Sequence, residues 1–175
     1  MRQNSKGETM LKTFSVIANS ATLIGMVAFG AYNIKDVAAQ EYVNHVSQED
    51  KYCLQQNVYF EARNQSELGK RAVAWVTLNR VDDSRYPDTI CEVVWQKSQF
   101  SWTKDGKSDV PSENIIEQRA WKRAEQVVES VLFKYYSGAD KLIGDAVMFH
   151  ADYVSPYWMT HYEEVATIDD HIFYE

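Results

Sequence analysis

Residues 53–80 read CLQQNVYFEARNQSELGKRAVAWVTLNR, and they predict two helices joined by a short turn. From Gln48 to Phe60, the apolar residues Tyr52, Cys53, Leu54, Val58 and Tyr59 give the first helix its pattern. Ala62-Arg63-Asn64-Gln65 makes the turn. Ser66 suits the N-cap of the second helix and Glu67 its first turn. There Leu68, Ala72, Val76 and Arg80 follow four-residue steps, with Trp75 and Asn79 beside them. Asn79 sits near the end of a mostly apolar face, where a polar group is either hydrogen-bonded core or site lining. Glu61 closes the first helix directly after the aromatic pair Tyr59 and Phe60. Aromatic surroundings and the negative end of a helix dipole both favour the protonated carboxyl, the form a general acid needs.

Outward from this pair, 82–88 is a loop containing Tyr86-Pro87, and 89–96 is a short helix around Val93 and Val94. Residues 98–111 are polar and irregular, with Asp105-Gly106 marking a turn, and such a loop is where a binding wall is expected. The longest periodic segment is 113–136. Ile116, Ala120, Ala124, Val127, Val131 and Tyr135 recur on one side, as in a core-packing helix. Residues 146–150 and 167–174 read as short strands. The expected fold is therefore mainly α with a minor sheet, an α+β arrangement dominated by helix.

The 175 residues include 18 basic and 25 acidic ones, a formal charge of −7. Residues 1–46 hold four basic and three acidic residues, so 47–175 carry −8. That balance argues against nucleic acid as a partner, because backbone binding needs a positive surface. No G-x-S-x-G elbow, H-E-x-x-H pair or glycine-rich phosphate loop is present. His150, His161 and His171, with Asp152 or Glu163, match no strong metal spacing, so no metal and no cofactor are expected. Cys53 and Cys91 lack a CxxC partner and leave two options, one disulfide or two free thiols, decided by compartment. Carboxylate chemistry remains, with Glu61 the first choice. Glu67 lies across the turn and reads as a solvated first-turn residue.

The domain resembles the SleB/CwlJ-type cell wall hydrolases, the spore-cortex-lytic enzyme family also found in phages and Gram-negative bacteria. The resemblance covers roughly residues 53–174. It is carried by Tyr59-Phe60-Glu61-Ala62-Arg63, Gly69 with Arg71-Ala72-Val73-Ala74, Leu78-Asn79-Arg80, Tyr86-Pro87 and Ile90-Cys91. Gln99-Phe100-Ser101-Trp102, Asp105-Gly106, Trp121, Phe149-His150-Ala151, Pro156-Tyr157-Trp158 and His171-Ile172-Phe173-Tyr174 complete it. It implies a lysozyme-like fold related to lytic transglycosylases, and cleavage of peptidoglycan between N-acetylmuramic acid and N-acetylglucosamine. The family's catalytic glutamate falls on Glu61. A groove of Gln99, Phe100, Ser101, Trp102, His150, Tyr153 and Trp158, with Asn79, is the expected substrate site. A hydrolytic muramidase and an amidase are the alternative activities, and an inactive wall-binding or virion module is the alternative class. The chain departs from many relatives at Ser98 and Lys104, where they carry cysteines, and at Val147-Met148, where they carry Thr-His.

Residues 13–34 form a charge-free stretch of 22 after Arg2, Lys6 and Lys12, and Val37-Ala38-Ala39 before Gln40 has a signal-peptidase pattern. Three readings fit: an uncleaved inner-membrane anchor, a cleaved signal peptide, and a packed helix. The first two export residues 47–175 as one catalytic domain facing the wall, behind a 1–46 anchor or signal segment with its linker. Export in turn predicts a Cys53–Cys91 disulfide. The expected partners are peptidoglycan strands and, through residues 13–34, the inner membrane, with the protein a monomer.

Overall fold

The computed structural model describes residues 34–175. Five α-helices precede a small sheet among the described residues: α1 (Ile34–His45), α2 (Gln48–Ala62), α3 (Glu67–Asp82), α4 (Ile90–Trp95) and α5 (Ile115–Ser137). Strands β1 (Met148–Ala151), β2 (Glu164–Ile168) and β3 (His171–Tyr174) form an antiparallel sheet in the order β1-β3-β2. The fold is mainly helical with a minor sheet.

Local chemistry sets the helix boundaries. Ser47 caps α2 by accepting the Asp50 N–H at 2.9 Å, and Ser66 caps α3 by accepting that of Gly69 at 3.2 Å. Thr89 and Asn114 do the same for α4 and α5, and Gly138 ends α5 in the left-handed conformation at φ 69°. Along α5, Ala120, Ala124, Val127, Val128, Val131 and Leu132 are buried, whereas Ile115 and Ile116 in its first turn are exposed. The stripe read from the sequence thus meets the core one turn later than its first member. α3 is the most enclosed element, with residues 72–80 all buried.

The segment 167–174 is two strands rather than one. Ile168 ends β2 and His171 begins β3, and Asp169 between them turns the chain at φ 51°, a conformation that Asp tolerates better than most residues. That turn is tied to α3. Asp169 accepts the Ser66 N–H at 2.8 Å and the Ser66 hydroxyl at 2.6 Å, and a Cβ added at Gly69 would run into its carboxylate.

The expected inner-membrane contact through residues 13–34 requires correction. Among the described residues, no helix is long and apolar enough to cross a membrane. Residues 13–33 lie outside the described part. Ile34 opens α1, whose 12 residues span about 18 Å against a hydrocarbon core of about 30 Å and include Lys35, Asp36 and Glu41. α5 has the length, but seven charged side chains interrupt it from Glu117 to Lys134. α1 packs on α5, with Ala39 and Val43 buried and Tyr42 stacked on Tyr136 at 5.5 Å. The residues flanking the expected cleavage point are helical.

Candidate active site

Glu61 is the penultimate residue of α2 and lies largely buried beside a cavity of about 610 Å³. The last turn of α2 contributes Tyr59, Phe60 and Glu61 to its wall, and the C-cap residue Arg63 adds to it. The loop contributes Ser101, Trp102 and residues 107–112, and α5 contributes Glu117. Burial raises the Glu61 pKa to about 7. The Arg80 guanidinium and the Ser101 backbone N–H pull it back down without offsetting the burial. A carboxyl poised near neutral pH beside a cleft can deliver a proton and take one back.

The aromatic frame around Glu61 is fixed from three directions. Trp102 stacks on Phe60, centroids 4.8 Å apart, and meets Trp95 edge-on at 5.2 Å. Its Nε1 donates to Asn57 Oδ1 at 3.2 Å, and Asn57 Nδ2 donates to Thr77 Oγ1 at 3.0 Å, so the loop is tied through α2 to α3. Gln56 Nε2 holds the Asp109 carbonyl at 2.9 Å, and Gln118 Nε2 holds that of Ser112 at 2.8 Å. At the next turn of α2, the Tyr59 hydroxyl donates to Glu117, which also accepts from Arg63 Nη1 at 3.0 Å. Ser98 and Lys104, read as replacing cysteines, touch: Lys104 Nζ donates to Ser98 Oγ at 2.6 Å, a polar link closing the loop.

Of the residues expected in the groove, Ser101 and Trp102 share the Glu61 cavity. Asn79 is buried and donates to the carbonyls of Gly144 at 3.0 Å and Ala146 at 2.9 Å, holding the approach to β1. Gln99 is half-buried in the same loop. Phe100 is buried with the Arg80 guanidinium 5.0 Å from its ring and Phe149 at 6.5 Å. His150 is buried, with Nε2 3.0 Å from the Tyr174 hydroxyl. Trp158 packs edge-on against His150 and Tyr174, and Tyr153 stands 83% exposed. None of these six lines the Glu61 cavity.

Sequence reading missed the part Arg80 plays. It is buried, with Nε donating to the Val147 carbonyl at 2.7 Å and its guanidinium 5.3 Å from the Tyr86 ring. It faces Glu61 electrostatically, and Tyr86 and Tyr162 as well. The available signal was a charged residue on the otherwise apolar face of α3, a position that demands a partner. Met148 places its Sδ 3.9 Å from Arg80 Nη2. Among the described residues, no group of three or more His, Cys, Asp or Glu side chains is placed to hold a metal.

The sequence model of the Cell Wall Hydrolase family matches residues 64–174, a range that begins just past Glu61. The chain is 26% identical over 141 residues to the spore cortex-lytic enzyme of Bacillus subtilis, covering 81% of this chain and 42% of that protein. For the Halalkalibacterium halodurans enzyme it is 25% over 127 residues, covering 73% and 35%. The chain thus spans less than half the length of these curated relatives. Among solved structures, the catalytic domain of Bacillus cereus SleB matches with a TM-score of 0.60 at 27% identity, over 75% of this chain and 94% of that one. The catalytic domain of the germination-specific lytic transglycosylase SleB from Bacillus anthracis gives 0.61 at 27% identity, over 75% and 98%. With the family's sequence pattern running through most of the chain and the same helical frame carrying it, this protein belongs to the Cell Wall Hydrolase family, in its SleB/CwlJ-type spore-cortex-lytic branch.

Proposed function

We propose that the protein cleaves the glycan strand of peptidoglycan between N-acetylmuramic acid and N-acetylglucosamine, as a lytic transglycosylase on the wall-facing side of the membrane. The observation that carries this reading is Glu61, held near neutral pKa at the wall of an aromatic-lined cleft. The likeness to catalytic domains of spore cortex-lytic enzymes supports the substrate class. Protonated Glu61 donates to the glycosidic oxygen as the C1–O bond breaks. Positive charge grows on the muramic ring, and the 6-hydroxyl of the same sugar attacks C1. Glu61, now a carboxylate, takes the proton from that hydroxyl, which completes a 1,6-anhydro ring and restores the acid. Arg80 favours the carboxylate during the interval in which it exists. The cycle uses no external water and no second protein nucleophile.

Product analysis is the decisive test. Digestion of purified peptidoglycan followed by mass spectrometry is expected to yield anhydro-muramic ends, lighter by one water than reducing ends. The second reading is hydrolysis, which Asp105 and Asp109 on the same cleft favour, since a retaining or inverting hydrolase uses two carboxylates. Reducing muramic ends would establish it. Free peptides with intact strands would replace both with an amidase.

The pH profile gives an independent check. The acid form of Glu61 starts the reaction, so kcat/KM is expected to fall through a midpoint near 7 as pH rises, about tenfold per unit beyond it. A rate that stays level to about pH 9 would remove Glu61 from the acid role. An additional fall on the acid side, near the ordinary carboxylate range, is the mark of a second, ionised carboxylate and would favour hydrolysis.

A further inference from the structure

A second cavity, of about 350 Å³, adjoins the first. It is lined by Gln65, Glu67, Lys70, Arg123, Gln126 and Val127, and Gln65 also lines the Glu61 cleft. We infer that this cavity is an anion site that takes a carboxylate of the peptide stem branching from a glycan strand in the cleft, an inference that rests on the function proposed above. Two cations converge on it from different helices, Lys70 from α3 and Arg123 from α5. Lys70 is buried, with its ammonium donating to the Gln65 carbonyl. Arg123 is exposed, and among the described residues no hydrogen bond or ion pair engages its guanidinium.

The nearby acids already have partners, although Glu67 itself lines the cavity. Glu67 is ion-paired with Arg71, and Asp169 accepts from Ser66 twice. Burial chiefly, and then the charge of Arg123, hold the Lys70 pKa below its ordinary value, with Asp169 and Glu67 only partly opposing. Two cations held side by side in a domain of −8 charge carry a repulsion that a bound anion relieves. Gln65 is held by Asp170, to which its Nε2 donates at 3.1 Å, so the donors left to a ligand are the Arg123 guanidinium, the Lys70 ammonium and the Gln126 amide. A guanidinium matches a planar carboxylate, which accepts two parallel N–H bonds from arginine. The stem peptide is the source that geometry favours. It leaves the glycan at the muramic acid, the residue whose C1 must lie beside Glu61, and Gln65 marks the passage from that cleft to the cation pair.

The test uses the full chain, labelled with ¹⁵N, and a free stem tripeptide of L-Ala, D-Glu and a diamino acid as probe. Saturable amide shifts are expected at Gln65, Lys70 and Arg123, with affinity falling at least tenfold in Arg123→Glu and by less in Arg123→Gln. Arg123 lies on the outer face of α5, so both variants are expected to fold, which their unchanged spectra away from the cavity verify. A tripeptide with its carboxyls amidated should not bind. Absence of shifts at millimolar peptide, equal binding of the amidated peptide, or equal shifts from inorganic phosphate (an unspecific anion site only) would each overturn the inference. Because the probe contains no glycosidic bond, its binding is judged apart from the product analysis. Glycan cleavage without peptide binding sinks this inference alone. Peptide binding without glycan cleavage sinks the proposed reaction alone.

Discussion

Glu61→Gln is expected to lower glycan cleavage by about 10²- to 10⁴-fold while making the protein more stable above neutral pH. Gln keeps the size of the side chain and can still accept from the Ser101 N–H, but it has no proton to deliver. The stability effect follows from linkage. In the folded protein the Glu61 pKa is about 7, against an ordinary value of 4.5, so the folded state holds this proton more tightly than the unfolded chain does. The contribution is fully present below the unfolded value and is lost as pH rises through the folded one. Beyond that point the buried carboxylate costs roughly 3 kcal/mol relative to its protonated form. Gln cannot ionise, so its stability lacks this fall. Urea titrations of both proteins at about pH 4 and about pH 9 should show the gap between them opening by that amount in favour of Gln. A variant retaining more than about a tenth of the cleavage rate would end the catalytic assignment. An unchanged gap would mean that Glu61 titrates as an ordinary surface glutamate.

Elements governed by local chemistry were legible in the sequence, and relations between elements were less so. Ser66 announced the start of α3 because a capping hydroxyl acts on its own next turn. Glu61 stood out because its aromatic neighbour Phe60 is adjacent in the chain, and Trp102 came with the Gln-Phe-Ser-Trp piece of the family pattern. The 167–174 segment was misread because Ile168 on one side of Asp169-Asp170 and His171, Ile172 and Phe173 on the other were grouped as one strand. Only the left-handed backbone at Asp169, held by Ser66 more than a hundred positions away, breaks it into a hairpin. Asn79 was open between core and site in the sequence, and its amide holds two carbonyls beyond α5, contacts that no spacing announces. Phe100 and Trp102 are two residues apart in one polar loop and look equivalent in sequence. One faces Arg80 and Phe149, and the other lines the Glu61 cleft. Arg80 owes its importance to partners on other elements, which no spacing encodes.

Removing the Cys53–Cys91 disulfide is expected to cost about 4 kcal/mol, the chain-entropy value for a loop of 38 positions. For a chain of this size that corresponds to a fall in Tm of roughly 8–16 °C. The bond is present, with Cα atoms 5.2 Å apart, and it joins α2 to α4. α4 is only six residues long, too short to be stable alone, and its N-terminus is held by Asp50, which accepts the Cys91 N–H at 2.9 Å. From α4 the chain runs directly into the loop that sets Ser101 and Trp102 against Glu61, and Trp95 at its end touches Trp102. Loosening α4 therefore reaches the cleft. The Cys53→Ala/Cys91→Ala protein should lose stability and, at temperatures well below its Tm, a larger share of activity than its folded fraction explains. Melting curves with and without a reductant, run beside the double variant, measure the first effect, and single-turnover cleavage of peptidoglycan measures the second. A Tm change of only a degree or two would show that Asp50 and the Phe60–Trp102 stack hold α4 and its loop without the covalent link. A large Tm change with cleavage proportional to folded protein would confine the disulfide to stability and leave the site's geometry to the hydrogen bonds of Asn57 and Gln56.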